Sequence, residues 1–196
     1  MGLGDIVAFR PDVKSNASIG IDCHANNSGD ILTQLRLSMQ HARGVENREA
    51  MEAGKYPSVG IKLEEVFNLG TIQGAKAVNM EDQIGSIEVG KLADLVIFDA
   101  TSPNMACAAE ENPVAAVLLH ANAGDIETVI IDGIVRKQNG GLLDVQVLDS
   151  LNGQITESLS WTAVTKNLLT SRQKILGRGG KQDFQAGMQF LYKTFG

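Results

Sequence analysis

The sequence predicts a mixed α/β fold, and three successive patterns along the chain support this prediction. Residues 17–21 alternate small and β-branched side chains and run into Asp22 and a polar loop, which is typical of a strand followed by a loop. Residues 62–78 carry apolar side chains at roughly helical spacing. Residues 84–98 combine turn glycines with a strand-like apolar run. Helices and strands therefore both contribute to the fold.

A helix is expected directly after the polar loop. Asp30 is well placed as its N-cap, and Gly44 is expected to end it. Residues 45–56 carry mixed charges without a periodic apolar face, which predicts a mobile surface connection. Gly70 then divides the 62–78 stretch into two short helices, and Thr71 can cap the second.

The later part of the chain predicts a hairpin followed by helices. Pro113 begins a short apolar helix, and Asp132-Gly133 separates two β-rich pieces. This dipeptide is a strong hairpin signal because a type I′ turn needs positive φ at both central residues. Apolar residues from Trp161 onward recur at 3-4-7 spacing and predict an amphipathic helix that ends near Gly177. Residues 184–195 are expected to form a further short helix.

Composition and charge restrict the classes of function. The chain has 196 residues, 43% of them apolar, and a formal charge of −6, which disfavours a nucleic-acid or anionic-membrane surface. Small molecules and proteins are the expected partners. Cys23 and Cys107 have no CxxC spacing and indicate neither a disulfide framework nor a zinc ribbon. No export signal and no membrane-spanning run are visible, so a cytoplasmic location is expected.

Asp22 is the first candidate for chemistry. A strand that ends in an aspartate before a polar loop and a helix is a common way to present a carboxylate at the carboxyl end of a β/α unit. A loop or capping role explains the same local pattern. His24 follows two positions later and would share the face of Asp22 on a continuing strand, where it could contact substrate. Asn27 could hydrogen-bond a heterocycle, and it is an equally good turn residue.

A more specific pattern lies between residues 70 and 135. It comprises GTIQGAKA at 70–77, GSIEVGKLADLVIFD at 85–99 and VIIDGIV at 129–135. Together these segments resemble the closing part of the amidohydrolase superfamily, and the 85–99 segment is similar to the cytosine deaminase, guanine deaminase and triazine chlorohydrolase branch. With the end of the 17–21 strand, the resemblance covers about residues 1–145.

The resemblance implies the carboxyl-terminal portion of a metal-dependent, TIM-like hydrolase barrel with part of its flanking β-sandwich. It divides the chain into barrel units at 1–82, a sandwich portion at 83–145 and a helical appendage at 146–196. In this family an HxH pair, further histidines and an aspartate hold zinc or iron. Asp22 matches that aspartate, which implies that it contacts the metal and accepts a proton from metal-bound water.

The histidines depart from the family pattern. The chain has three, His24, His41 and His120, and none stands in an HxH arrangement. His41 and His120 are therefore given structural roles, and we expect no metal to be bound by this chain alone.

Two functions remain open for the chain. The first is part of a hydrolase that cleaves carbon–nitrogen bonds in small heterocyclic substrates, inactive by itself. The second is a non-catalytic folded fragment with a structural or binding role. A cut barrel exposes an unpaired edge, so self-association or pairing with the missing barrel half is expected.

Overall fold

A computed structural model of the chain describes residues 6–22, 29–180 and 183–195. It confirms a mixed α/β fold. The helices are α1 (Ile31–Glu52), α2 (Leu63–Leu69), α3 (Ile72–Ala77), α4 (Ala106–Glu111), α5 (Pro113–Ala115), α6 (Trp161–Gly179) and α7 (Phe184–Phe195). The strands are β1 (Leu95–Phe98), β2 (Ile126–Ile131), β3 (Ile134–Gln138), β4 (Gly141–Leu142), β5 (Val145–Leu148) and β6 (Ile155–Leu159).

The chain divides into two compact units. The amino-terminal unit spans Met1–Gly141 and the carboxyl-terminal unit spans Leu142–Gly196. The division into segments 1–82, 83–145 and 146–196 stays a prediction. None of the helices that the structure describes combines the length and the apolar character needed to cross a bilayer.

The core of the amino-terminal unit forms around α1. Two neighbouring clusters of buried side chains line this helix, one centred on Met39 and Leu118 and one on Met105 and Ala116. The Arg36 guanidinium fixes α1 to the end of the α5 region, since it donates to Leu118 O at 2.8 Å and to Ala121 O at 2.6 Å. Apolar burial and these two hydrogen bonds together orient α1.

The predicted end of α1 at Gly44 is wrong, because the helix continues to Glu52. The predicted mobile connection at 45–56 is therefore helical over most of its length. A mid-helix glycine costs about 1 kcal/mol relative to alanine, and tertiary contacts offset this cost. Arg43 Nη2 donates to Ile61 O at 2.6 Å, and Asn47 Oδ1 accepts from Ser58 N at 2.9 Å.

The predicted strand at 17–21 is also wrong, since residues 17–22 form no regular secondary structure. The period of two nevertheless persists, because Ala17, Ile19 and Ile21 are half-buried while the intervening residues are exposed. Every strand pair in the described residues involves positions after 94. A segment becomes a strand only where a neighbouring backbone completes its hydrogen-bond ladder.

The two short helices predicted around Gly70 are confirmed as α2 and α3. Thr71 precedes α3, as predicted, but its side chain does not cap it. The hydroxyl instead donates to Phe67 O at 3.0 Å, one turn back in α2. Competition from a preceding carbonyl is common for Ser and Thr at such positions.

Four strands form one sheet in the order β1-β2-β3-β4, in which the β1–β2 and β2–β3 pairs are antiparallel. Leu95 faces Ile130 across the first pair. The hairpin predicted at Asp132-Gly133 is confirmed, with φ of 50° and 73° at the two residues. This turn is held to the start of β1, because Asp94 Oδ1 accepts from Asp132 N at 2.7 Å.

The glycine-rich segment before β1 is a turn closed by Lys91. The Lys91 side chain is only 12% exposed. Its ammonium donates to Glu81 O at 2.6 Å and to Ser86 Oγ at 2.5 Å. Gly85 has φ of +88° and lies against α3, where a Cβ would come within 2.7 Å of Ala75 Cβ. These residues of the 85–99 motif therefore stabilise a turn.

The carboxyl-terminal unit contains a two-stranded sheet and two helices. The predicted helices are confirmed as α6 and α7, and the β5–β6 hairpin was not predicted. Ser160 caps α6, since its hydroxyl accepts from Ala163 N at 3.3 Å. The Trp161 indole N–H donates to Leu143 O at 2.8 Å. Within the described residues of this unit, none is buried.

Candidate functional site

Asp22 lies at the end of the 17–22 segment with its backbone in the left-handed region, at φ 62°. Aspartate tolerates this conformation better than most residues. The alternation along the segment makes Asp22 exposed, like Ser18 and Gly20, while Ala17 and Ile19 pack toward the core. The carboxylate is therefore presented at the surface of the amino-terminal unit.

Two anchors hold the segments on either side of Asp22. Asp30 is the N-cap of α1, as predicted, because its carboxylate accepts from Thr33 N and from Thr33 Oγ1, both at 2.7 Å. On the amino-terminal side, the Gln73 side-chain amide lies against residues 14–17. With its nitrogen oriented toward them, it donates to Ala17 O at 2.8 Å and to Lys14 O at 2.9 Å. Both ends of the Asp22 region are thus tied to helices.

A shallow depression of about 350 Å³ adjoins this region. Its lining residues come from three parts of the amino-terminal unit, namely 6–8, 18–20 and α1. Val7 and Leu37 in this lining are 49% and 61% exposed. None of the lining residues is His, Cys, Asp or Glu. Sequence reasoning missed this surface, because no local pattern indicates which three segments converge.

Within the described residues, the donor side chains do not fit a metal centre. Among residues 6–22, 29–180 and 183–195, no group of three or more His, Cys, Asp or Glu side chains could hold a metal ion. Zinc sites in proteins need three or four such ligands. Asp22 supplies one carboxylate, so the residues described in this structure do not form the site that the resemblance implies.

The predicted companions of Asp22 cannot be placed beside it. His24 and Asn27, and Cys23 between them and Asp22, lie outside the described residues. Their substrate-binding roles stay predictions. His41 is exposed on α1 and His120 is exposed at the end of the helical turn after α5.

Asp125 is the most buried carboxylate of the described residues, at 6% exposure. The Asn122 backbone N–H, 2.8 Å away, holds the pKa of Asp125 below its usual range. Asn104 adds a side-chain amide at 3.1 Å. This carboxylate joins the loop before α4 to the turn before β2, and its perturbed pKa has this structural cause.

The chain belongs to the amidohydrolase family, whose model matches residues 5–135. This match covers both the Asp22 segment and the 85–99 motif, so the predicted family is confirmed.

Curated relatives of the chain are deaminases. It is 38% identical over 133 residues to a 5-methylthioadenosine/S-adenosylhomocysteine deaminase of Thermoanaerobacter pseudethanolicus, a match that covers 67% of this chain and 28% of the relative. It is 32% identical over 147 residues to a 5′-deoxyadenosine deaminase of Methanobrevibacter smithii, covering 71% of this chain and 31% of the relative. The chain thus spans about a third of the length of these relatives.

Solved structures of the same fold include an adenosine deaminase from Xanthomonas campestris with bound zinc. It superposes with a TM-score of 0.60 at 24% identity, over 84% of this chain and 32% of that one. A triazine hydrolase variant superposes with a TM-score of 0.55 at 19% identity, over 67% of this chain and 27% of that one. These likenesses establish an amidohydrolase-type fold.

Proposed function

We propose that this chain forms the carboxyl-terminal portion of a metal-dependent nucleoside deaminase, with zinc or iron as the metal. Within it, residues before β1 supply the last β/α part of a TIM-like barrel, and β1 to β4 supply part of the flanking β-sandwich. The observation that carries the proposal is the position of Asp22. It is an exposed carboxylate in the family-matched region, at the end of a segment with strand periodicity and before a capped helix.

The substrate class is an adenosine-type nucleoside with a modified 5′ position. Support comes from the relatives named 5-methylthioadenosine/S-adenosylhomocysteine deaminase and 5′-deoxyadenosine deaminase. Deamination adds water at the ring carbon that bears the amino group and releases ammonia. Asp22 serves as the acceptor of the proton that the attacking water loses. His24 and Asn27 contact the substrate from the loop that follows.

Catalysis requires groups that the described residues do not contain. The depression beside the 17–22 segment is the surface on which we expect the remaining barrel to pack, since it exposes Val7 and Leu37. The barrel half supplies the histidine ligands, either from a longer form of this protein or from a second chain. The present chain alone is expected to be inactive and to retain no metal.

The test is reconstitution. The chain is co-expressed with a Thermoanaerobacter pseudethanolicus deaminase lacking the region that this chain matches, and ammonia release is measured with 5′-methylthioadenosine, 5′-deoxyadenosine and adenosine. Activity and bound zinc are expected in the combination only. Asp22→Asn should abolish activity, whereas Asp82→Asn, a matched change at an exposed carboxylate, should retain it.

The alternative is a folded fragment with a binding or structural role only. It is favoured by the absence of a three-ligand cluster among the residues with described positions. An assembled combination that releases no ammonia from any of the three nucleosides would support this alternative. Near-stoichiometric zinc on the chain alone, lost in Asp22→Asn, would instead place a complete site within this chain and contradict both expectations.

A further inference from the structure

The net charge of −6 conceals a strong segregation of charge along the chain. Six of the 17 basic residues but only one of the 23 acidic residues lie between positions 160 and 196. The basic residues there are Lys166, Arg172, Lys174, Arg178, Lys181 and Lys193. The rest of the chain has twice as many acidic as basic residues. The terminal segment is therefore cationic although the whole chain is anionic.

Helix α6 has an apolar face that the described part of its own unit leaves largely exposed. With 3.6 residues per turn, Trp161, Leu168 and Ile175 align along one side, and they are 41%, 67% and 62% exposed. Leu169 and Leu176 widen this face and are also half exposed or more. Such a continuous exposed apolar face indicates an interaction site.

The charges of α6 are arranged around that apolar face. The helix contains four basic residues and no acidic one. Lys166 and Lys174 lie on the opposite side, and Arg172 lies within the apolar face, where a long stem can pack on apolar surface while the guanidinium reaches a polar layer. None of the ion pairs among the described residues involves a basic residue of α6.

Helix α7 also has an exposed apolar side, although Phe190 lies outside it and is 66% exposed. Phe184, Met188 and Leu191 share one side of the helix and are 72%, 49% and 50% exposed. Tyr192 borders them at 70% exposure, and Lys193 is the charged residue of the helix. Aromatic and aliphatic residues on one face with basic residues elsewhere are typical of helices that lie at a membrane interface.

We propose that α6 and α7 form a docking surface for an anionic lipid bilayer. The apolar face of each helix enters the boundary between headgroups and acyl chains, and the cationic segment is attracted to the anionic headgroup layer. Pairing with the same helices of a second copy is disfavoured, because it would bring two cationic segments together. The proposal concerns surface binding and is independent of the deaminase proposal.

Vesicle binding by the full chain tests this proposal, with Trp161 as a built-in probe because it is the chain's single tryptophan. Sedimentation is measured with phosphatidylcholine vesicles and with an equal mixture of phosphatidylcholine and phosphatidylglycerol. Binding and a shift of Trp161 emission to shorter wavelength are expected with the anionic vesicles. Raising salt from about 0.1 M to about 1 M should release the chain, since the Debye length falls from about 10 Å to about 3 Å.

Two double variants, each with a matched control, separate the contribution of charge to vesicle binding from that of apolar contact. Lys166→Gln with Lys174→Gln should weaken anionic-vesicle binding about 30-fold, while Lys55→Gln with Lys76→Gln, an equal charge change in the amino-terminal unit, should not. Leu168→Ser with Ile175→Ser should weaken it about a hundredfold, while Asn167→Ser with Gln173→Ser on the polar side should not. Circular dichroism confirms that each variant folds.

Three outcomes would overturn the proposal. The first is no association of the wild-type chain with anionic vesicles at low salt. The second is equal association with neutral vesicles. The third is a Trp161 shift that depends on protein concentration without lipid and accompanies dimer formation, which would identify a second copy as the occupant.

Discussion

The two units of this chain differ in how they use apolar side chains. In the amino-terminal unit, Met39, Val66 and Leu118 are fully buried and belong to one continuous core. In the carboxyl-terminal unit, helices of comparable apolar content have Leu168, Ile175 and Phe184 more than half exposed.

The two units differ in how much of their stability can come from their own buried apolar side chains. An isolated two-stranded hairpin and single helices are marginally stable in water, because they bury too little apolar surface to offset chain entropy. The amino-terminal unit has a buried core of its own, whereas no described residue of the carboxyl-terminal unit is buried. Four pairs of matched substitutions, each pair with one member in each unit, test this difference.

The largest contrast is expected for Leu118→Ala against Leu168→Ala. Leu118 is 0% exposed and Leu168 is 67% exposed. The first change should lower the free energy of unfolding by about 2–5 kcal/mol through lost burial and a cavity, and the second by less than about 0.5 kcal/mol. Urea denaturation followed by far-UV circular dichroism measures both. Equal losses would mean that Leu168 is buried in solution.

Gly85→Ala against Gly153→Ala compares two glycines with positive φ. A Cβ on Gly85 would lie 2.7 Å from Ala75 Cβ and 3.0 Å from Ile72 Cα, whereas one on Gly153 would meet nothing within 4 Å. We expect losses of about 2–3 kcal/mol for Gly85 and about 1 kcal/mol for Gly153. Thermal unfolding ranks the two variants, and a smaller loss at Gly85 would contradict the close approach to α3.

Lys91→Met against Lys174→Met tests whether the lysine of the 85–99 motif is structural. Removing the Lys91 ammonium leaves Glu81 O without this partner, which should lower the free energy of unfolding by about 1–2 kcal/mol. Lys174 is exposed on α6, so its substitution should change stability by less than about 0.5 kcal/mol. Hydrogen exchange at residues 81–91 should increase only in the Lys91 variant. Unchanged exchange there would argue against the role assigned to this ammonium.

The smallest effect is a pH dependence from Asp125. Because its pKa is lowered in the folded state, the carboxylate stabilises the fold at pH values above its unfolded-state pKa of about 3.9. This contribution of about 1 kcal/mol to the free energy of unfolding is lost as the pH falls toward the folded-state pKa. Asp125→Asn should make unfolding of the amino-terminal unit less dependent on pH below about 4. Asp149→Asn, in the β5–β6 turn, serves as the control and should leave that dependence unchanged.

Local chemistry explains which elements could be predicted. The cap at Asp30, the break at Gly70 and the turn at Asp132-Gly133 depend on side chains and φ preferences within a few residues, and the structure has all three. The continuation of α1 past Gly44 could not be predicted in this way. It depends on Arg43 reaching Ile61 O, a partner 18 positions away.

The candidate site was accessible to sequence reasoning only in part. Asp22 is a candidate from its local pattern, and the motif at 85–99 adds the family resemblance, which the match over 5–135 confirms. The depression beside it was missed, since its lining converges from separate segments. The role of the motif lysine could not be predicted either, because no sequence pattern indicates that Lys91 folds back onto Glu81 O.

The sequence alone was sufficient to predict the family, most of the helices, the Asp132-Gly133 hairpin, the candidate Asp22 and the cationic character of residues 160–196. These follow from composition, short-range spacing and motif identity. The tertiary structure decided whether residues 17–21 pair as a strand, where α1 ends, which apolar faces are buried and which remain exposed. The physical reason is that strand pairing and burial depend on neighbours distant in sequence, and only the folded chain specifies which neighbours are present.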